Sequence, residues 1–284
     1  MKSIIGSDES LTLRIKSELS AICDGSKLLP QLFAAMQRHD IESLKLTYDS
    51  RPVRLGDLFE VIGDPSPNLV LEGDCSRIVQ IGERMDRGTI LVRGPAGTGL
   101  ASNMQGGSVE VLGNCGDHLA CNMRDGFVFV HGSAGDHVAG PAPGRQTGMR
   151  GGDCIVLGDV GDRAAERLRR GTLFVGGNAG DYGAAQIIAG TVIVLGEIGS
   201  HWAQGMKRGS IILSRPTNGA FSAELTTARE YELSFLPLIW RHLERLLGDN
   251  TIKLPSSRWA TRQLGDRANQ GLGEVLTLTR HSYS

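Results

Sequence analysis

Residues 88–97 read GTILVRGPAG, and the pattern returns at 107–116 (GSVEVLGNCG), 126–135 (GFVFVHGSAG), 152–161 (GDCIVLGDVG), 171–180 (GTLFVGGNAG) and 190–199 (GTVIVLGEIG). Each block is a glycine, five strand-forming residues and then G-x-x-G. The opening glycines stand at 88, 107, 126, 152, 171, 190 and 209, at intervals of 19 residues except for 26 between 126 and 152. Repetition at such a period signals a solenoid, whose units bury their apolar edges only by stacking.

Counting from the opening glycine, positions +2 and +4 are apolar in every unit: Ile90/Val92, Val109/Val111, Val128/Val130, Cys154/Val156, Leu173/Val175, Val192/Val194 and Ile211/Leu213. A strand turns alternate side chains to one face, so these residues point inward. Position +13 is alanine throughout (Ala101, Ala120, Ala139, Ala165, Ala184, Ala203), which places a small residue at a crowded corner. Position +16 is Met104, Met123, Met149, Leu168, Ile187 and Met206, a third inward stack. The inner glycines mark bends that need a positive φ or close backbone approach. The fold class expected is mainly β, a right-handed parallel β-helix of 19-residue coils with short α-helical N- and C-terminal segments. A left-handed hexapeptide helix is rejected, because the aspartates at +10 (Asp117, Asp136, Asp162, Asp181) break its six-residue apolar period.

Three segments are expected: an α/β lead-in over 1–66, the solenoid over 67–214 and a helical cap and tail over 215–284. In the lead-in, Ser7–Ala21 and Leu28–Arg38 have helix-like patches, and Ile41–Tyr48 reads as a strand. Val53–Ile62 leads into the solenoid, and 67–87 resembles an imperfect first coil of the kind that caps an array. The seven residues Pro141–Thr147 account for the long unit; an insertion that leaves the core pattern intact loops outward from a corner. Arg145 within it is either a contact to a partner or substrate or an ordinary solvated residue. A helix is expected within Glu224–Leu247, ended at Gly248-Asp249-Asn250, and a short strand at Val275–Leu278.

The chain has 30 Lys+Arg against 31 Asp+Glu, a net charge of −1, and no long block of one sign, which argues against a nucleic-acid partner. No apolar run reaches the ~20 residues that span a bilayer, which argues against a membrane role. The opening MKSIIGSDES lacks the apolar core of a secretory signal. Five scattered cysteines (23, 75, 115, 121, 154) fit free thiols in a reducing compartment, so a cytoplasmic location is expected.

No catalytic, cofactor-binding or metal-binding constellation emerges. Gly94-Pro95-Ala96-Gly97-Thr98-Gly99 has dinucleotide-like spacing, but another coil follows where a helix would be needed. His118 and His137 share position +11 beside Asp117 and Asp136; the same position holds Arg163 and Tyr182 in later units, and the aspartates are better read as turn acceptors. One feature stands out. Position +3 should face outward, yet it reads Leu91, Phe129, Ile155, Phe174, Ile193 and Ile212, interrupted only by Glu110. An exposed apolar stripe of this length requires a cover. These six residues are the candidate partner interface; the other candidate cover is the chain's own N- or C-terminal segment.

The coil resembles the solenoid shared by the C subunit of formylmethanofuran dehydrogenase and the C-terminal domain of glutamate synthase's large subunit. RLGDLFEV at 54–61, GDCSRIVQIGERMDRG at 73–88 and GRQTGMRGG at 144–152 favour the former. GDRANQGLGEVLTL at 265–278 is most similar to the bacterial formyltransferase/hydrolase form of that subunit. The resemblance implies a structural subunit of a complex that moves formyl from tetrahydromethanopterin to a methanofuran-type carrier and releases formate. It implies amidohydrolase-like, formyltransferase and dehydrogenase-like partner subunits, with the metal and both carriers bound elsewhere than on this chain. A molybdenum or tungsten formylmethanofuran dehydrogenase of archaea and a glutamate-synthase-like spacer are the alternatives, and a free-standing carbohydrate-acting β-helix is the reading from the enzyme class.

Overall fold

A computed structural model describes residues 10–217, 221–248 and 252–279. The order of elements is β1 (Leu11–Ile15), β2 (Cys23–Asp24), α1 (Pro30–Phe33), α2 (Arg38–Ser43), β3 (Lys45–Tyr48), β4 (Arg51–Arg54), α3 (Leu55–Leu58), β5 (Phe59–Ile62), β6 (Asn68–Glu72) and β7 (Ile78–Val79). The repeat follows as β8 (Thr89–Arg93), β9 (Ser108–Val111), β10 (Phe127–Val130), β11 (Arg150–Val156), β12 (Arg170–Val175), β13 (Thr191–Val194) and β14 (Ser210–Leu213). The chain continues as β15 (Arg229–Glu232), α4 (Leu236–Leu247), β16 (Trp259–Gly265) and β17 (Gly273–Leu278).

The protein is mainly β, with one 13-stranded sheet and a smaller four-stranded one. β6 and then β8 through β14 pair in parallel with like positions opposed, as in Val128 against Cys154 and Leu173 against Val192. The 26-residue unit keeps this register, so Pro141–Thr147 is accommodated outside the stack. A second parallel line of bridges joins Cys75, Ala96, Cys115, Ala134, Val160, Ala179 and Ile198. Along a third line, backbone N–H groups of the +13 alanines donate to the preceding unit, for example Ala120 to the Leu100 carbonyl at 2.9 Å. The inward stacks at +2, +4, +13 and +16 all lie in one apolar core.

Two glycine positions have different causes. The opening glycines hold a positive φ, from 81° at Gly152 to 107° at Gly126. The glycine at +9 is fixed by close approach: a Cβ at Gly135 or Gly161 would collide with the carboxylate of Asp117 or Asp136 one unit before. That carboxylate is there because the +10 aspartates form a ladder. Asp117 Oδ1 accepts the Asp136 N–H at 2.9 Å, Asp136 that of Asp162 at 2.8 Å, Asp162 that of Asp181 at 2.8 Å and Asp181 that of Ser200 at 2.7 Å. A parallel line runs through Asn114, Ser133, Asp159 and Asn178, each accepting from the next unit. Reading the aspartates as turn acceptors is therefore right in kind, although the turn they serve belongs to the next unit. Replacing Asp162 with alanine is expected to cost about 0.5–1.5 kcal/mol, because the Asp181 N–H exchanges its carboxylate acceptor for water at this exposed site. Asp162→Asn keeps an acceptor oxygen and should recover most of that loss, measured by chemical denaturation.

Both ends of the large sheet are closed by antiparallel strands. At the N-terminal end β1 pairs with β6 in parallel and with β5 antiparallel. The helix-like reading of Ser7–Ala21 is thus corrected: Leu11 and Leu13 alternate inward from a strand, while residues 7–9 lie outside the described segments. Leu28–Arg38 yields only the short α1 and the first residue of α2, and the strand expected over Ile41–Tyr48 begins at Lys45. At the C-terminal end β17 adds in parallel to β14, and β16 and β15 follow antiparallel. The strand expected at Val275–Leu278 is thus present and continues the stack.

A buried carboxylate locks this last turn. Asp266 accepts from the backbone N–H groups of Gly205, Glu224 and Ala268 and from the Asn269 amide, over 2.7–3.1 Å. Burial alone would raise its pKa, but these donors together bring it below the ordinary aspartate value. A depressed folded pKa contributes stability above the unfolded value near 3.9, and that contribution is lost as pH falls through the folded value. Asp266→Ala is accordingly expected to lower the melting temperature at pH 7, with the difference from the parent shrinking as acid protonates Asp266 in the parent. A pH-independent difference would contradict this.

Candidate partner-binding face

The +3 ladder is where the sequence reading pointed, and its geometry follows from the strands. Residues +2, +3 and +4 of each repeat strand are all buried, so these strands are apolar on both faces except at Glu110 in β9. Leu91, Phe129, Ile155, Phe174, Ile193 and Ile212 are between 0 and 3 % exposed. The exposed stripe that alternation predicts is absent, because the chain supplies its own cover. Leu236, Trp240, Leu243 and Leu247 lie on one face of α4 at helical spacing and form a single cluster with Phe129, Ile155, Phe174, Ile193 and Ile212. Ala260, Leu276 and Leu278 from β16 and β17 complete it. Leu91 stands apart, paired with Val70 in a small cluster of its own. Of the two covers anticipated, the C-terminal segment is the one seen for the five central residues. A partner reaching those side chains directly would first have to displace α4.

Local sequence explains the placement of α4. Pro237 in the first turn suits a helix start, where its missing N–H is not needed. The helix therefore begins at Leu236, not near Glu224, and Arg229–Glu232 before it forms a strand. Gly248, with φ +57°, ends it; Asp249 and Asn250 lie outside the described residues. The Trp240 Nε1–H donates to the Ser257 carbonyl at 3.1 Å, and His242 Nε2 lies 3.4 Å from Asp153 Oδ2, which ties the helix to β11. Glu110, the interruption in the ladder, is buried and lies 2.8 Å from His131 Nε2, and the His131 ring meets Phe129 edge-on at 4.7 Å.

The remaining polar candidates are edge residues. His118 and His137 stack at 4.8 Å between ring centroids, 11° apart in plane. Burial first, and then His137, push His118 below the ordinary imidazole range. Cys121 Sγ donates to the His137 carbonyl at 3.2 Å, and Glu166 Oε2 lies 3.8 Å from His137 Nδ1. All five cysteines are free and buried, and burial raises the thiols of Cys75, Cys115 and Cys121 to about 12, far from the reactive thiolate. Among the described residues no group of three or more His, Cys, Asp or Glu is disposed to hold a metal ion. Arg145 is exposed on the insertion, which is pinned by Asn122 Nδ2 to the Thr147 carbonyl at 2.7 Å and by Arg167 Nη1 to Gln146 Oε1 at 2.8 Å. A cleft of about 1190 Å³ lies between residues 252–259 and the sheet, lined by Leu195, Arg215, Lys253 and Arg258, with no histidine or carboxylate among its described lining to act as a base. No described helix is long and apolar enough to cross a membrane.

Fold and face together define a class: a long parallel stack of repeat strands, closed at both ends, whose outer apolar ladder is sealed by a helix of the same chain. No protein-family profile matches the chain. Its relatives are nonetheless specific. It is 29% identical over 89 residues to the C subunit of tungsten-containing formylmethanofuran dehydrogenase 2 of Methanothermobacter marburgensis, covering 30% of this chain and 33% of the relative. It is 30% identical over 86 residues to the C subunit of the formyltransferase/hydrolase complex Fhc of Methylorubrum extorquens, covering 30% and 32%. These alignments thus span about a third of the relatives' length. In structure the likeness is much longer: a chain of the formyltransferase/hydrolase complex FhcABCD from Methylorubrum extorquens, in complex with methylofuran, superposes with a TM-score of 0.83 at 29% identity, covering 95% of this chain and 100% of that one. The resemblance read from the coil to the C subunit of this family is borne out.

Proposed function

We propose that this chain is the C subunit of a formyltransferase/hydrolase complex, a scaffold in the transfer of formyl from tetrahydromethanopterin to a methanofuran-type carrier and its release as formate. The observation that carries this reading is the near full-length match to a chain of FhcABCD. On this reading 67–214 forms a right-handed β-helix flanked by a lead-in over 1–66 and a helical cap and tail over 215–284. The catalytic metal, the formyltransferase centre and both carriers reside on amidohydrolase-like, formyltransferase and dehydrogenase-like partners in the cytoplasm. Phe129, Ile155, Phe174, Ile193 and Ile212 serve partner binding indirectly, by seating α4 and fixing the outer surface. The test is purification of the tagged chain from its own host at native expression, with the co-eluting chains identified and formyl-transfer activity followed. Recovery of the remaining subunits in fixed ratio with activity supports the reading; recovery of this chain alone overturns it. A second reading, the C subunit of a tungsten or molybdenum formylmethanofuran dehydrogenase, is favoured by the comparable identity to the tungsten enzyme's own C subunit. Tungsten or molybdenum in the purified complex would select it.

A further inference from the structure

The corner that precedes each opening glycine carries a row of cations. Backbone hydrogen bonds place Arg124, Arg150, Arg169 and Lys207 at equivalent points: their N–H groups donate to the carbonyls of Met104, Met123, Met149 and Ile187. All four are exposed. Arg170 and Arg208 follow the last two of them, so six cations crowd one ridge of a chain whose net charge is only −1. Successive rungs of a parallel stack are ~4.8 Å apart, where like charges repel and destabilise the chain that holds them. Local acids do not neutralise the row: none of the six makes an ion pair among the described residues. Arg150 instead donates to Thr147 Oγ1, and Asp125 beside Arg124 accepts from the Gly126 N–H.

Apolar residues are set into the same ridge. Half-buried Ile188 occupies the rung between Arg169 and Lys207. On the far side of Lys207 stands Leu272, whose N–H donates to the Lys207 carbonyl at 2.7 Å and which is 76 % exposed. Arginine is enriched at protein interfaces, and the exposed Leu272 adds apolar area that gains by burial. A face for single-stranded nucleic acid would combine such cations with aromatic platforms, and the row contains no aromatic residue. We propose that this ridge docks an acidic surface of another subunit, with Leu272 entering an apolar depression at its edge. The proposal rests on the reading of the chain as part of a multi-subunit assembly and adds which face binds and the charge of what it binds.

The test uses the full chain co-expressed with the other subunits of its complex. Arg124→Glu/Arg150→Glu/Arg169→Glu should reduce co-purified partner at least tenfold at physiological salt without lowering the melting temperature, since these side chains are solvated. The corresponding triple lysine variant should retain binding, raised salt should weaken the parent, and Leu272→Asp alone should reduce recovery. A charge-reversed chain that recovers its partners in full overturns the inference while leaving the complex reading intact. A parent that recovers no partners overturns both. Loss of binding to nucleic acid, with partner recovery unchanged, would show a polyanion surface and overturn the protein-docking proposal.

Discussion

Val175→Asp is expected to abolish the folded protein. Val175 is fully buried at an inward position, its strand hydrogen-bonded to the units before and after it. Removing the valine forfeits about 1.5–3 kcal/mol of burial, and the carboxylate adds several kcal/mol more for leaving water unpaired. Against a domain stability of about 5–15 kcal/mol, that sum removes most of the margin. A stack also offers no local escape, because a unit that opens exposes both neighbours. Val111→Asp, at the equivalent site in another unit, should behave alike. Insolubility, or a melting temperature lower by more than about 15 °C, is the expected reading, and a soluble variant with unchanged melting would refute the register.

The second large effect concerns the outer ladder. Phe129→Glu/Phe174→Glu should destabilise the isolated chain, because both rings are buried against the cluster that α4 closes. Truncating one buried aromatic costs about 3–5 kcal/mol, and the shared cluster makes the pair non-additive. The loss should be local first: α4 released from the sheet, with accelerated amide exchange and proteolysis near Leu236–Leu247, while the inward stacks keep their register. If thermal stability and protease resistance are both unaffected, α4 does not depend on the ladder.

The comparison of the two substitutions shows what the sequence could reveal. Val175 was legible because a strict period fixes which positions face the core, and the same period located the insertion and the +10 aspartates. Phe174 was legible only in part. Its apolar character demanded a cover, but what covers it depends on a helix some 60 residues away that the pattern at 171–180 says nothing about. The terminal segments were hardest for a related reason. Leu11 and Leu13 lie in too short a run to separate strand from helix, and β1 is a strand because β6 offers an edge to pair with. Asp266 was missed altogether: its four partners come from three separate stretches of chain, and no local motif announces them. The corner cations share position +17, once the seven-residue insertion is set aside, and so align by the period alone; what the period does not show is that they are exposed and, among the described residues, without acid partners.

The shared register of the strand cores from β8 to β14, broken only by a shift at the start of β11, makes the chain a ruler with discrete markings. Anything fixed to two different rungs is separated by a whole number of steps of ~4.8 Å, and ordinary drift in the sequence cannot adjust that separation smoothly. Gaining or losing one residue inside a unit would break the ladder, whereas gaining or losing a whole 19-residue unit would lengthen or shorten the span by one step and leave every other contact in place. Loops grow freely only where the molecule already tolerates them, as at Pro141–Thr147. The distance between two bodies held along this chain is therefore a quantised, heritable length, reset only by duplication or deletion of complete repeats.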